Sequence, residues 1–312
     1  MIVAASLGGT SFWVGTGILV ATFGIFTLGL QLNVGFTGLL NFGQVGFMAI
    51  GAYAMAILVN DAHLVIWVAM PAAVSIAMAA GALLGLTTLR LRGDYFAIAS
   101  VAFAEIVRYV AQNARGFTGG NLGLFGYDAD WVSTSNSISD TLSLRGDLYE
   151  VPLLIAAWIL FLLLLVALRV LQSTPWGRVL RAIREDEDAV RALGKNPMTF
   201  KLQSLAVGSA LGATSGLVLA LHQAEISPPL FAASVTFLGY TMMMLGGLGS
   251  YAGVLIGAVL LEVFTEAMRS LPVSDADAGA LRFILVGLLL IAVVALRPQG
   301  ILGNRREMVL GD

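Results

Sequence analysis

The residues best suited to chemistry lie in one short stretch, REDEDAVRALGKNP at 184–197, which we call the charged segment. Only 12% of the chain is charged, and long apolar runs flank the segment on both sides. Its Gly194-Lys195 pair is followed by Asn196 and has no glycine five residues earlier, so it lacks the phosphate-binding P-loop pattern. We therefore expect no nucleotide to bind here.

The remaining reactive side chains are too sparse for catalysis. His63 and His222 are far apart in the sequence, and the chain has no cysteine. The lack of cysteine excludes disulfides, thiolate metal sites and cysteine nucleophiles. No cluster of acidic and basic side chains suited to catalysis stands out. We predict no catalytic residue, no bound metal and no enzyme activity. The net charge of −2 gives no reason to expect nucleic acid.

The composition indicates an integral membrane protein. Of the 312 residues, 58% are hydrophobic, and the mean hydropathy is +0.89. A membrane-crossing helix needs about 20 apolar residues. Stretches of that kind occur at 10–32, 63–89, 94–113, 151–171, 202–223 and 279–297. The first sixty residues carry no charge, so we interpret 10–32 as a retained span and not as a signal peptide.

Two further apolar regions, 34–59 and 229–268, are interrupted by glycine. Each is either a pair of half-helices meeting at a break, which needs protein or water around it, or a full span with glycines for close packing. The sequence predicts an all-α, polytopic transmembrane bundle with about eight segments, two of them broken. Their small and polar residues are candidates to line or shape a path: Asn41, Gln44, Gly246, Gly247 and Gly249. Spans flanking each broken region suggest an internal repeat.

Basic residues predict the orientation, because they collect on the cytoplasmic side. Three regions hold 12 of the 17 Lys and Arg residues: 90–92, 169–201 and the tail from Arg297. These regions are expected inside, and the acidic stretch 114–150 outside. The N-terminus has no charge from which to infer its side.

The charged segment and its flank predict two short helices. Pro175 suits the first position of one, and acidic residues favour the start of the next. Val190 and Leu193 give the second a small apolar face, Gly194 suits its C-terminal cap, and Pro197 prevents its continuation. The pair is either a docking element at the membrane surface or a solvated loop.

Glu105 and Arg108 are the ionisable groups inside a predicted span. Their spacing of three places them on one helix face. Charges inside a membrane are costly and face the bundle interior or water. The two side chains either pair to lock helices together or contact a charged substrate in the path.

Several stretches together resemble the permeases of branched-chain amino acid ABC importers. DAVRALG at 188–194 is similar to the family's EAA loop, with Asp188 and Val190 in place of Glu and the second Ala. The others are GLLNFGQVGFMAIGAYAMAIL at 38–58, LRLRGDYFAIASVAFAEIVR at 89–108, TGGNLGL at 118–124, the run 173–220, and LGGLGSYAGVLIGAVLLE at 245–262. They cover most of 33–300 and resemble the M-type subunit.

This resemblance implies a single transmembrane permease domain over 1–312 in a bacterial plasma (inner) membrane. Residues 172–201 would be the cytoplasmic coupling loop and 114–150 an extracytoplasmic loop. Partners would be a related H-type permease, two ATPases and an extracytoplasmic binding protein, with ATP and Mg on the ATPases and no cofactor on this chain. The residues implied to contact the ATPase are Arg184, Glu187, Asp188, Ala189, Val190, Leu193 and Gly194.

The resemblance specifies the substrate less narrowly than it specifies the family. The family handles leucine, isoleucine and valine, other neutral amino acids, or urea and short amides. An ion-coupled secondary transporter is the rival class, but such a protein has no need of the charged segment. A membrane-embedded enzyme is disfavoured because no catalytic cluster is present.

Overall fold

A computed structural model describes residues 9–90, 93–141, 150–269, 284–285, 287–288, 291 and 300–302, and structural statements concern these residues. The helices are α1 (Thr10–Leu30), continued by a π-helix (Gln31–Phe36), α2 (Gln44–Asn60), α3 (Ile66–Thr88), α4 (Gly93–Asn113), α5 (Arg115–Thr118), α6 (Ala129–Thr141), α7 (Val151–Ser173), α8 (Pro175–Glu185), α9 (Glu187–Ala192), α10 (Pro197–Gln223), α11 (Ala233–Gly246) and α12 (Tyr251–Arg269). Strands β1 (Leu124–Phe125) and β2 (Glu225–Ile226) pair antiparallel, and 3-10 turns occupy Gly120–Leu122 and Pro228–Phe231.

The helices confirm an all-α membrane protein. Four are long and apolar enough to cross a bilayer: Thr10–Phe36, α3, α7 and α10. The helices α2 and α11 are apolar but shorter. The count of eight segments stays a prediction, since most of the span expected at 279–297, and the basic tail residues Arg305 and Arg306, lie outside the described residues.

One end of the bundle, which we call the cap end, carries residues 114–141. The Asn60 side chain donates to the Phe125 carbonyl at 3.0 Å, and the Ile66 amide donates to Asp130 at 3.2 Å. The buried Tyr127 hydroxyl donates to the Ala220 carbonyl at 2.7 Å. These bonds place the end of α2, the start of α3 and the end of α10 together. The stretch predicted as a loop is thus organised by short helices.

The start of α1 also lies at the cap end. A Cβ built on Gly15 would lie 3.8 Å from the His222 ring, near the end of α10. At the other end of α1, the Asn33 side chain accepts a hydrogen bond from Ser204, near the start of α10. Therefore α1 and α10 are antiparallel. The sequence left the side of the N-terminus open, and the structure places Thr10 on the same side as residues 114–141.

The opposite end, which we call the charged end, carries α8 and α9. The helix α2 does not begin there but about halfway along the bundle. Its first residue, Gln44, donates to the carbonyl of Gly208, eleven residues into α10, or about 16 Å along that helix. Residues 37–43, which we call the first break, connect the π-helix to this interior start.

The structure decides between the two readings of the glycine-rich regions. In 34–59 the chain breaks at 37–43 and then forms one continuous helix of 17 residues, α2, so the region is neither two half-helices of similar length nor one full span. In 229–268 the chain does break, at Gly247–Ser250, between α11 and α12. The units α1–α2 and α10–α11 run in opposite directions, the arrangement of an inverted repeat.

Glycines allow α2 and α10 to approach closely. A Cβ on Gly51 would lie 2.5 Å from the Ala213 carbonyl oxygen, so any side chain there would force the helices apart. Glycine at a helix contact is the expected means of packing helices in lipid, where apolar surface gives no hydrophobic drive between them. The interior of the bundle around the first break is consequently tight.

Candidate coupling and translocation site

The charged segment forms the two predicted helices. Pro175 is the first residue of α8. The Asp186 side chain caps α9 by accepting from the amides of Asp188 and Ala189 at 2.9 and 3.0 Å. At the other end, Gly194 has φ +76°, and the Lys195 amide bonds to the Val190 carbonyl at 3.2 Å. This is a Schellman cap, as the sequence predicts.

Arg184 connects α8 to the bundle. Its Nη1 donates to the Gly35 carbonyl in the π-helix. Gly38, at the start of the first break, faces the same side chain, because a Cβ there would lie 3.3 Å from Arg184 Cγ. Arg184 is therefore a link between α8 and the first break, which sequence spacing could not reveal.

Glu187 and Asp188 hold α9 in place. Glu187 forms one ion pair with Arg191 at 2.6 Å and another with Lys201 on α10. Asp188 pairs with Arg191 at 3.0 Å on the exposed surface. Exposed pairs contribute about 0–1 kcal/mol. The pair with Lys201, whose side chain is 17% exposed, ties α9 to α10.

The two apolar residues of α9 face different ways. Val190 is 3% exposed and packs inside this chain, whereas Leu193 is 80% exposed. Ala189 is also exposed. The expectation that Val190 and Leu193 share one apolar face was wrong. Of the residues predicted to contact an ATPase, Asp188, Ala189, Leu193 and Gly194 are exposed, and the last three carry no charge.

Asn41 and Gln44 organise the first break. The Asn41 side chain donates to Gln44 Oε1 at 3.1 Å and accepts from the Gly43 amide at 2.9 Å. The Asn41 carbonyl accepts from the Tyr240 hydroxyl of α11 at 3.0 Å. Both side chains are fully buried within this chain. They hold the first break in shape from within the bundle.

Three contributors to the break were missed from the sequence. The Thr236 hydroxyl accepts from the Val45 amide at 3.2 Å, and the Ser100 hydroxyl accepts from the Phe42 amide at 3.0 Å. Tyr240 adds a ring stacked on Phe42, with centroids 4.6 Å apart. The one local signal was a polar side chain in an apolar helix. These groups satisfy backbone amides that an interior helix start leaves open.

The glycines between α11 and α12 form the second break. Gly247 has φ +113° and Gly249 φ +80°, conformations that side chains disfavour. Gly246 lies against the Gly253 backbone, with no room for a Cβ. The side-chain amide of Gln31 is best oriented with its oxygen towards the second break. In that orientation the oxygen accepts hydrogen bonds from the Ser250 amide at 2.9 Å and from the Gly249 amide. The second break is thereby held against the π-helix.

Glu105 and Arg108 form an ion pair on α4. Arg108 Nη2 and Nε lie 2.6 and 3.0 Å from the same carboxylate oxygen of Glu105. Their side chains are 29% and 22% exposed. Glu105 precedes the end of α4 by eight residues, or about 12 Å. The pair therefore sits near mid-depth on a partly open face.

The open face of α4 differs from that of α7. From Ile155 to Ala167 the exposed residues of α7 are all apolar, as lipid requires. On α4 the exposed residues are also largely apolar, with Ile98 and Ile106 among them, but the partly exposed ion pair and Tyr109 interrupt this stripe near mid-depth. A charge pair facing acyl chains would be costly. The α4 face is thus suited to water or another protein.

An apolar multi-helix bundle with backbone breaks inside it and one dense charged end is a polytopic membrane permease. Residues 14–294 match the family described as "Branched-chain amino acid transport system / permease component", and the chain belongs to this family.

Curated relatives agree with this assignment. The chain is 35% identical to the high-affinity branched-chain amino acid transport system permease protein LivM of Escherichia coli over 91% of the chain and 68% of the relative. The LivM protein of Salmonella typhimurium is 37% identical with the same coverage. The LivH permease of Escherichia coli is 32% identical over 47% of the chain and 46% of its own length. No solved structure matches.

Proposed function

We propose that the chain is the M-type permease subunit of an ATP-driven importer of branched-chain amino acids and forms half of its translocation path. The observation that carries the proposal is the Arg184 link, which joins the exposed α8–α9 surface to the first break. A secondary transporter has no use for such a link, because no motor acts on that surface. The relatives named above support the substrate class.

In this proposal α9 docks into an ATPase subunit through Ala189, Leu193 and Gly194. Glu187 and Asp188 hold the docking surface rigid, and Val190 anchors it from within. ATPase motion would displace α8, which pulls on Gly35 and Gly38 through Arg184. The first break would then shift the interior start of α2. ATP and Mg would be bound by the ATPases, and this chain would be non-catalytic.

The α4 face is proposed to line the path opposite a second, H-type permease. That partner is supported by the partial similarity to LivH proteins. The ion pair of Glu105 and Arg108 would be compatible with a zwitterionic solute crossing beside it. The glycines of the second break, Gly246, Gly247 and Gly249, would act by allowing the break and not by contacting the solute.

The complete importer would lie in the bacterial plasma membrane. The charged end, with α8 and α9, faces the cytoplasm, and the cap end receives a substrate-binding protein outside. Basic residues at the charged end and acidic residues in the cap support this orientation. An importer of other neutral amino acids, or of urea and short amides, would use the same permease architecture.

The test is reconstitution of this chain with an H-type permease, two ABC ATPases and a binding protein from the same organism. We expect leucine, isoleucine and valine uptake to require ATP and all partners, with little urea uptake. Ion gradients without ATP should give no uptake. Uptake driven by an ion gradient through this chain alone would contradict the proposal, and urea uptake would select the amide alternative.

The ion pair gives a second test. Glu105→Gln leaves a partly buried Arg108 unmatched, and breaking such a pair costs up to about 3–5 kcal/mol when it is fully buried. At 22% exposure we expect a smaller loss, measured as reduced yield of assembled complex. The double variant Glu105→Gln, Arg108→Met should recover assembly. If it also recovers uptake, the pair is structural; loss of uptake with normal assembly assigns it to the path.

A further inference from the structure

A cavity of about 270 Å³ lies at the charged end, outside the proposed docking surface. It is formed where the end of α7, the helix α8, the π-helix and the second break meet. Its lining residues are Phe36, Arg169, Gln172, Ser173, Arg181, Arg184, Gly249 and Tyr251. We call it the arginine pocket.

The arginine pocket is strongly basic. Three of its lining residues are arginines and none is acidic. Arg181 donates to the Gln172 carbonyl at 3.1 Å, and Arg184 donates to the Gly35 carbonyl. A backbone carbonyl is neutral, so neither hydrogen bond neutralises the positive charge of Arg181 or Arg184. Arg169 forms no hydrogen bond or ion pair with any residue that the structure describes. A cavity lined by three arginines and no acidic residue attracts an anion with several acceptor oxygens.

A second observation also indicates a ligand. Gln172 is 2% exposed, yet neither its amide nitrogen nor its amide oxygen has a hydrogen-bond partner among the described residues. The Tyr251 hydroxyl, on the opposite wall, has none either. Buried polar atoms in native proteins are nearly always satisfied. A bound polar group would supply the missing partners. The Gln172 amide nitrogen, the Tyr251 hydroxyl and the arginine side chains would donate hydrogen bonds to its oxygens.

The position of Arg169 identifies the source of the anion. Arg169 follows Leu162 by seven residues and Val166 by three, so it continues the exposed apolar stripe of α7. Leu162 and Val166 are 50% and 56% exposed and face lipid in a membrane. Arg169 lies in the last turns before Ser173, where the acyl region gives way to headgroups. The pocket therefore adjoins the bilayer at headgroup level.

We propose that the arginine pocket binds the phosphodiester headgroup of an anionic phospholipid. The phosphate oxygens accept from Arg169 and Arg181, while Gln172 and Tyr251 donate to the remaining headgroup oxygens. A lipid held there bridges α7, α8 and the second break. Its role is to fix α8 against the membrane beside the coupling link, so that displacement of α8 reaches the first break and is not lost in lipid.

The test uses the full-length chain in its complete complex, purified in a neutral detergent. Phosphatidylglycerol and phosphatidylcholine with identical acyl chains are titrated while bound lipid is counted by native mass spectrometry. Inorganic phosphate is titrated as a separate arm. The variants are Arg169→Gln and Gln172→Leu, and the control is Arg178→Gln, an exposed arginine of α8 that does not line the pocket.

We expect phosphatidylglycerol to bind at least about tenfold more tightly than phosphatidylcholine. Arg169→Gln and Gln172→Leu should each remove most of that preference, and Arg178→Gln should retain it. Binding is read without transport, so the result is independent of the proposed substrate. Equal binding of both lipids, or unchanged preference in Arg169→Gln, overturns the proposal. Full competition by millimolar phosphate overturns the lipid assignment in favour of a soluble anion.

Discussion

Replacing Gly194 with valine is expected to prevent stable binding of the ATPase subunits. Gly194 has φ +76°, and the left-handed region costs a residue with a Cβ about 1–2 kcal/mol, more when it is β-branched. The helix α9 has only six residues and depends on its caps, because so short a helix is unstable alone. Purification of tagged complexes should show at least a tenfold loss of co-purified ATPase.

The chain offers a matched control for this variant. Gly126 has the same φ of +76°, and a Cβ on either glycine would meet nothing within 4 Å. Gly126 lies at the cap end, far from α9. Gly126→Val should therefore carry the same backbone cost but keep its ATPases. Ala189→Trp, which adds bulk to the exposed surface without backbone strain, should behave like Gly194→Val. Normal ATPase content in both variants would contradict docking through α9.

Arg184→Ala is expected to separate ATP hydrolysis from transport. The change removes a hydrogen bond from a charged donor to the Gly35 carbonyl, a bond worth about 1.5–3 kcal/mol. The docking surface of Ala189 and Leu193 is untouched, so ATPases should still bind. Without the link, displacement of α8 no longer moves the first break. We expect binding-protein-stimulated hydrolysis to continue while uptake falls roughly tenfold or more.

Arg178 again provides the control. It lies on the same helix, is exposed, and reaches only the Ser173 carbonyl at 3.5 Å. Arg178→Ala removes the same charge from α8 but leaves the link, so both hydrolysis and uptake should stay near wild-type levels. Arg184→Lys should restore part of the uptake, because an ammonium also donates to a carbonyl oxygen. Parallel loss of hydrolysis and uptake in Arg184→Ala would place Arg184 in docking instead.

The sequence by itself determined the features that depend on near neighbours. Pro175 starts α8, and Gly194 closes α9, because a missing amide and a missing Cβ act within one turn of helix. The pairing of Glu105 with Arg108 follows from a spacing of three on one helix. The membrane class followed from composition, since a soluble chain needs more polar surface.

Only the tertiary structure decided which distant residues meet. The Thr236 hydroxyl accepts a hydrogen bond from the Val45 amide, 191 positions away in the sequence. Arg184 donates to the Gly35 carbonyl, 149 positions away. No local sequence pattern indicates either contact. The sequence did not predict that the first break ends at Gln44. Nor did it predict that Val190 is buried while Leu193 is exposed. For α9 the reason is that burial depends on contacts with α8 and α10. For the membrane-spanning helices it is that apolar residues cover every face. Which face meets protein is set by the packing of the whole bundle, through small residues such as Gly51.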